Sequence, residues 1–196
     1  MECTHKKVAT EIIEKEIFDL KFKYKTKICK DCGAHLRDND FEKAYMHWLE
    51  GVYKDRRDKF QVQCTFSSNL IKCADNFLED YPGISSTVLM RFLVTVYLNV
   101  VDVNENLSSK LDSLLDAHIY DSFLNDKDKK KVNIQFKPNM MLDLVAISEV
   151  IDMKPYQIVE TAVLKMMTAI TSQDKKLREF WEKEIRTYLD IFLKAA

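Results

Sequence analysis

Val62, Cys64 and Phe66 alternate with Gln61, Gln63 and Thr65, the two-residue period of a strand that buries one face. The period then changes. Leu70, Cys73, Ala74, Phe77 and Leu78 follow the i, i+3, i+4, i+7, i+8 spacing of a helix with one apolar stripe. Tyr81-Pro82-Gly83 ends it, because proline cannot continue a helix and glycine tolerates a left-handed exit. Ser85 or Ser86 can cap a second helix, which buries Leu89, Met90, Leu93, Tyr97 and Val101.

About seventy residues later the same order returns. Val132, Ile134 and Phe136 face inward between Lys131, Asn133 and Gln135, and Met140, Leu144, Ile147 and Ile151 form a first helical stripe. After Asp152-Met153-Lys154-Pro155, Ile158, Val159, Ala162, Met166 and Ile170 form a second, with Pro155 at the first helical position. A strand-helix-helix unit of about forty residues cannot bury its own apolar faces, so the two copies are expected to share one core.

Three further helices are predicted around the copies. Phe41 to Lys59 carries Phe41, Tyr45, Trp48, Leu49 and Val52 on one side and reads as a connecting helix. Leu107 to Phe123 places Leu107, Leu111, Leu114, Leu115, His118 and Ile119 at helical spacing, so the link between copies is helical. Gln173 to Lys194, with Leu177, Phe180, Trp181, Ile185, Tyr188, Leu189 and Phe192, is expected to pack on the core rather than stand exposed for a partner. The chain thus divides into an amino-terminal module (1–40), a connecting helix (41–59), a first repeat (60–103), a helical linker (104–129), a second repeat (130–172) and a final helix (173–196).

Composition narrows the function classes. At 196 residues and 46% hydrophobic, the chain is expected to fold, and Met1-Glu2-Cys3-Thr4-His5-Lys6-Lys7 has no apolar signal core. The most apolar run, Thr87 to Val101, is broken by Arg91 and Asn99, so the expectation is a soluble cytoplasmic protein without membrane association. A net charge of −1 denies the molecule a broad cationic field, leaving local clusters at Lys21, Lys23, Lys25, Lys27 and Lys30, at Lys54, Arg56, Arg57 and Lys59, and at Lys127, Lys129, Lys130 and Lys131. Gly33, Gly51 and Gly83 are the only glycines and lie too far apart for a Rossmann fingerprint or a Walker loop. With no zinc-protease helix, nucleophile elbow or carboxylate pair either, the chain is expected not to be an enzyme, and no small-molecule substrate is evident.

Cys29-Lys30-Asp31-Cys32-Gly33 resembles the knuckle of zinc-ribbon sites, in which a tight turn aims two thiolates at one metal. Cys3 and His5, two apart on an extended segment, share a face and could complete a Cys3His shell for structural zinc. His35 could replace His5, and a thiol-redox Cys-x-x-Cys is the rival reading. Ile17, Phe18, Leu20, Phe22, Tyr24 and Ile28 fall mostly at even spacing among lysines and predict a β-strand between the cysteine pairs. So small a module would need a metal to hold together.

The duplicated pattern resembles the ribbon-helix-helix family of DNA-binding proteins, which includes the Arc and methionine repressors; the most specific part is Gly83-Ile84-Ser85-Ser86-Thr87-Val88-Leu89, entering the second helix. The resemblance covers roughly Gln61 to Val101 and Lys131 to Thr171, with Lys154-Pro155 standing where a Ser or Thr cap is commoner. It implies a mainly α fold with short β-strands, two ribbon-helix-helix units paired as an intramolecular pseudo-dimer, to which the zinc-knuckle likeness adds a small zinc-bound β module in front. It also implies a two-stranded ribbon in the major groove of double-stranded DNA. The base readers would be Gln61, Gln63 and Thr65 with Lys131, Asn133 and Gln135, since amides pair with adenine, lysine donates to guanine and threonine touches a thymine methyl. Phosphate contacts would come from Ser85, Ser86, Thr87, Lys154 and Tyr156 at helix starts, and from Arg57, Lys59 and Lys130 before the strands. The function so implied is sequence-specific transcriptional regulation, as a repressor. Alternatives are a protein-interaction module on the same fold, using the ribbon, final helix or zinc module, and an accessory protein for plasmid partition or DNA transfer.

Overall fold

A computed structural model describes residues 4, 6–17, 19–36, 39–101 and 117–195. The chain forms two compact units, Met1–Phe60 and Gln61–Ala196. The described residues are mainly helical, with seven α-helices and two small antiparallel sheets. None of these helices is long and apolar enough to cross a membrane.

In the first unit β1 (Val8–Ile17), β2 (Leu20–Cys29) and β3 (His35–Leu36) form a sheet in that order. The single strand expected from Ile17 to Ile28 is instead the second arm of a hairpin: Ile17 ends β1 opposite Leu20, and Asp19 turns the chain at φ 62°. Aspartate tolerates that left-handed conformation better than most residues. Phe18 lies outside the described residues. Alternation puts Phe22, Tyr24 and Thr26 on one face of β2, and α1 (Asn39–Asp55) packs against that strand. Phe22 lies 6.0 Å from Phe41, 5.2 Å from Tyr45 and 5.3 Å from Trp48, ring centre to ring centre. The aromatic stripe predicted for a connecting helix therefore closes the hairpin's own open face, supplying apolar mass that the first forty residues lack. A short 3-10 turn, Arg57–Phe60, ends the unit.

The second unit opens with β4 (Gln61–Ser67) and α2 (Ser68–Phe77), then α3 (Ser86–Val96), extended by a wider turn over Tyr97–Val101. Gly83, at φ +92°, supplies the left-handed turn between the helices. The expected linker helix is described from Ala117 to Asn125 (α4); Leu107, Leu111, Leu114 and Leu115 lie outside the described residues. β5 (Lys129–Gln135), α5 (Pro138–Ile151), α6 (Pro155–Ile170) and α7 (Lys175–Ala195) complete it. β4 and β5 pair antiparallel along their whole length, from Gln61 opposite Gln135 to Ser67 opposite Lys129. Each second helix crosses to the other copy's strand: α3 packs on β5 and α6 on β4.

α3 packs on α6, and α7 packs on both. Leu89, Met90, Leu93 and Val94 of α3, Ile158, Val159, Ala162, Val163 and Met166 of α6 and Trp181, Ile185 and Leu189 of α7 are all buried. In α5 the buried residues are Pro138, Met141 and Leu144; Met140 and Ile147 are half-buried and Ile151 is 47% exposed, so the stripe predicted there runs off the core at its end.

Ser67 joins strand to helix. Its hydroxyl accepts a hydrogen bond from Leu70 N at 3.0 Å, satisfying one of the orphan amides of the first turn of α2, and its side chain is buried. Ser67→Ala is expected to cost about 1–2 kcal/mol in denaturant unfolding, with an unchanged m-value, since a cap is lost inside the protein.

Candidate nucleic-acid interface

The pairing of β4 with β5 brings the six outward positions of the two copies onto one face. Gln61 stands opposite Gln135, Gln63 opposite Asn133 and Thr65 opposite Lys131. The outward side chains are exposed except Gln135, which is half-buried, whereas Val62, Cys64, Phe66 and Ile134 face the core. Gln61 Nε2 donates to Gln135 Oε1 at 3.2 Å and Gln63 Nε2 to Asn133 Oδ1 at 3.3 Å. Gln63 and Asn133 hold the same place in their respective copies, so the point where equivalents face one another lies at the ribbon's centre. No carboxylate side chain belongs to this face.

Two residues outside the expected site tie the ribbon's outer edges to the helices. Glu160 Oε1 accepts from Thr65 N at 2.6 Å, and Arg91 Nη1 donates to Gln135 O at 3.3 Å. Arg91 and Glu160 stand at the same place counted from the starts of α3 and α6, and Thr65 and Gln135 at the same place in the two strands. The two contacts are therefore equivalents with reversed polarity: one copy offers a cation to a carbonyl, the other a carboxylate to an amide. The signal in the sequence is a charged residue interrupting an apolar stripe at matching places. Edge groups of a two-stranded ribbon are open to further strand pairing, and these side chains occupy them.

At the start of α3 Ser85 is exposed, its hydroxyl 2.8 Å from that of Thr87, and Ser86 and Thr87 are half-buried. At the start of α6 Lys154 N donates to Gln157 Oε1 at 2.8 Å, while the side chains of Lys154 and Tyr156 are exposed. Lys130 is exposed near the start of β5. Its neighbour Lys129 caps α4 instead, donating to Phe123 O and Leu124 O at 2.9 and 2.8 Å. Arg57 and Lys59 belong to the first unit, where Arg57 lies 6.0 Å from the Tyr53 ring and Lys59 is 3.6 Å from Asp19.

Cys64, fully buried on the inner face, has its Sγ 4.0 Å from Tyr156 O. Burial pushes its thiol up to about 12 from 9.0, and the Glu160 carboxylate adds to the effect. The folded state thus keeps a proton that the unfolded chain releases near pH 9, so the thiol's contribution to stability is present below pH 9 and lost as pH rises toward 12. Unfolding free energy should fall more steeply over that range in the natural protein than in Cys64→Ala; equal slopes would contradict this.

In the first unit Gly33 N donates to Cys29 O at 2.8 Å with Gly33 at φ +71°, closing the turn that carries Cys29 and Cys32. Lys30 N donates to Lys7 O at 2.8 Å, so the chain enters β1 alongside that turn. Cys29 is buried and Cys32 exposed; Cys3 and His5 lie outside the described residues, as does the side chain of His35. Among the described residues no three His, Cys, Asp or Glu side chains gather as a metal site. Compared with known proteins, the chain matches no family model, no curated protein and no solved structure.

Proposed function

We propose that the second unit is a single-chain ribbon-helix-helix pseudo-dimer that binds double-stranded DNA sequence-specifically, and that the protein acts as a transcriptional repressor. The observation that carries this reading is the outward face of the β4–β5 ribbon. It joins four amides, a threonine and a lysine from two copies of one motif, without an acid. A two-stranded ribbon fits the major groove, where amides pair bidentately with adenine and lysine donates to guanine. The starts of α3 and α6, carrying Ser85, Ser86, Thr87, Lys154 and Tyr156, would meet phosphate, which free amides and the helix dipole favour. Because the two strands differ, the site read would be asymmetric. Selection from random duplex DNA at low salt should enrich one non-palindromic sequence; no enrichment overturns the reading.

A second reading rests on the net charge of −1, which weakens long-range attraction to DNA and suits a ribbon that grips a protein instead. In that case the random duplex enriches nothing. A role in partition or DNA transfer shares the binding physics of the first reading and differs in the site bound.

For the first unit we propose structural zinc held by Cys29 and Cys32 with Cys3 and His5. Support comes from the closed Cys29–Gly33 turn and from the entry of the amino-terminal segment beside it. Such an ion would cross-link the segment to the turn. Protein prepared without chelator should carry about one zinc per chain, lost in Cys32→Ser. A ratio far below one contradicts the assignment.

A further inference from the structure

The β1–β2 hairpin has a second face that α1 leaves uncovered. Register puts Thr10 opposite Lys27, Ile12 opposite Lys25, Glu14 opposite Lys23 and Glu16 opposite Lys21, all exposed. Alternate residues on a strand are about 6.7 Å apart, so the four lysines form a straight row of roughly 20 Å. The row is not uniform. Glu14 lies 2.8 Å from Lys21 and 3.2 Å from Lys23, and Glu16 is 4.0 Å from Lys21, so the turn end is largely neutralised. Lys25 and Lys27 face Ile12 and Thr10 across the hairpin and form no ion pair among the described residues. Ile12 is 59% exposed and Val8, on the same face, 41%.

We propose that this hairpin face is a sequence-independent contact for the phosphate backbone of nucleic acid, centred on Lys25 and Lys27. It rests on the reading above only for the class of partner. The row is linear, as a strand of phosphates is, and lysines act as point charges on phosphate without the forked geometry that reads a base edge. Ile12 and Val8 offer apolar area beside the cations, too small for a membrane surface but suited to the sugar edge of a backbone. Glu14 sets where the cationic row begins.

The test uses the full chain and a random duplex of about 25 base pairs, titrated at several salt concentrations. Each phosphate contact contributes about 0.9 to the slope of log K against log salt, so Lys25→Gln with Lys27→Gln should flatten it by nearly two and weaken binding several-fold at low salt. Glu14→Gln frees Lys23 and leaves Lys21 only the longer contact to Glu16, so it should steepen the slope and tighten binding, a gain that misfolding cannot mimic. Unchanged slopes in both variants overturn the proposal. So does loss of polyglutamate binding with duplex binding intact in the lysine variant, which would make the partner an acidic peptide. If a sequence is enriched by the natural protein yet these slopes do not move, the hairpin contact falls and the ribbon reading stands; if the slopes move but nothing is enriched, the reverse holds.

Discussion

Phe136→Ala is expected to destabilise the whole second unit by about 3–5 kcal/mol, the usual cost of emptying a buried phenylalanine site. Phe136 is fully buried just past β5, and Phe66, at the matching place in the first copy, is 4% exposed. A domain of this size holds a total stability of about 5–15 kcal/mol, so the loss is a large fraction of the whole. The consequence reaches the other copy because α3 packs on β5 and α6 on β4, so opening either copy breaks contacts that hold the other. Cys64 reports this directly. Its thiol is buried in the first copy, so modification by a disulfide reagent, read at that residue by mass spectrometry, requires opening of the unit. The second-copy substitution should speed that modification about a hundredfold or more. Unfolding of the second copy with Cys64 reactivity unchanged would mean two independent modules, contrary to the packing described.

On the proposed reading, Gln63→Ala and Asn133→Ala should each weaken binding to a selected duplex by about 1–3 kcal/mol, roughly tenfold to a hundredfold, and relax preference at one base position. These residues face each other at the centre of the ribbon, 3.3 Å apart through their amides, and project from an otherwise paired backbone. Neither is buried, so their removal should leave the thermal midpoint within about a degree or two of the natural protein. Replacing an exposed lysine such as Lys130 should act differently. It should lower affinity for every duplex alike and reduce the salt slope by about one. If Gln63→Ala and Asn133→Ala behave like the lysine variant, the outward amides carry no sequence information.

Much of this arrangement is legible in the sequence because both strands of the ribbon alternate cleanly. Val62, Cys64 and Phe66 against Gln61, Gln63 and Thr65 admit one burial pattern, and a slip of one residue would turn every apolar side chain to water. The first hairpin is harder to read. On β1 the half-buried residues are Ala9, Ile13 and Ile17, every fourth position, with Glu11 and Lys15 between them on the same face. That spacing mimics a helix, and only pairing with β2 shows it to be a strand. In α5 nearly every position from Met140 to Val145 is apolar or small, so periodicity does not choose between Met140 and Met141; the tertiary neighbours do. Arg91 and Glu160 were hidden for another reason. Each acts on the strand of the other copy, and a local pattern carries no information on a contact made across the chain.

The reversed polarity of those two contacts also bears on how the copies pair. A carboxylate suits an edge amide and a guanidinium an edge carbonyl, so the unlike copies satisfy each other within one chain. One chain accordingly supplies a complete ribbon. Native mass spectrometry of the protein on a selected duplex should find one chain per duplex on a non-palindromic site; two chains on a palindrome, each repeat paired with its own copy, would mean that the ribbon forms between chains.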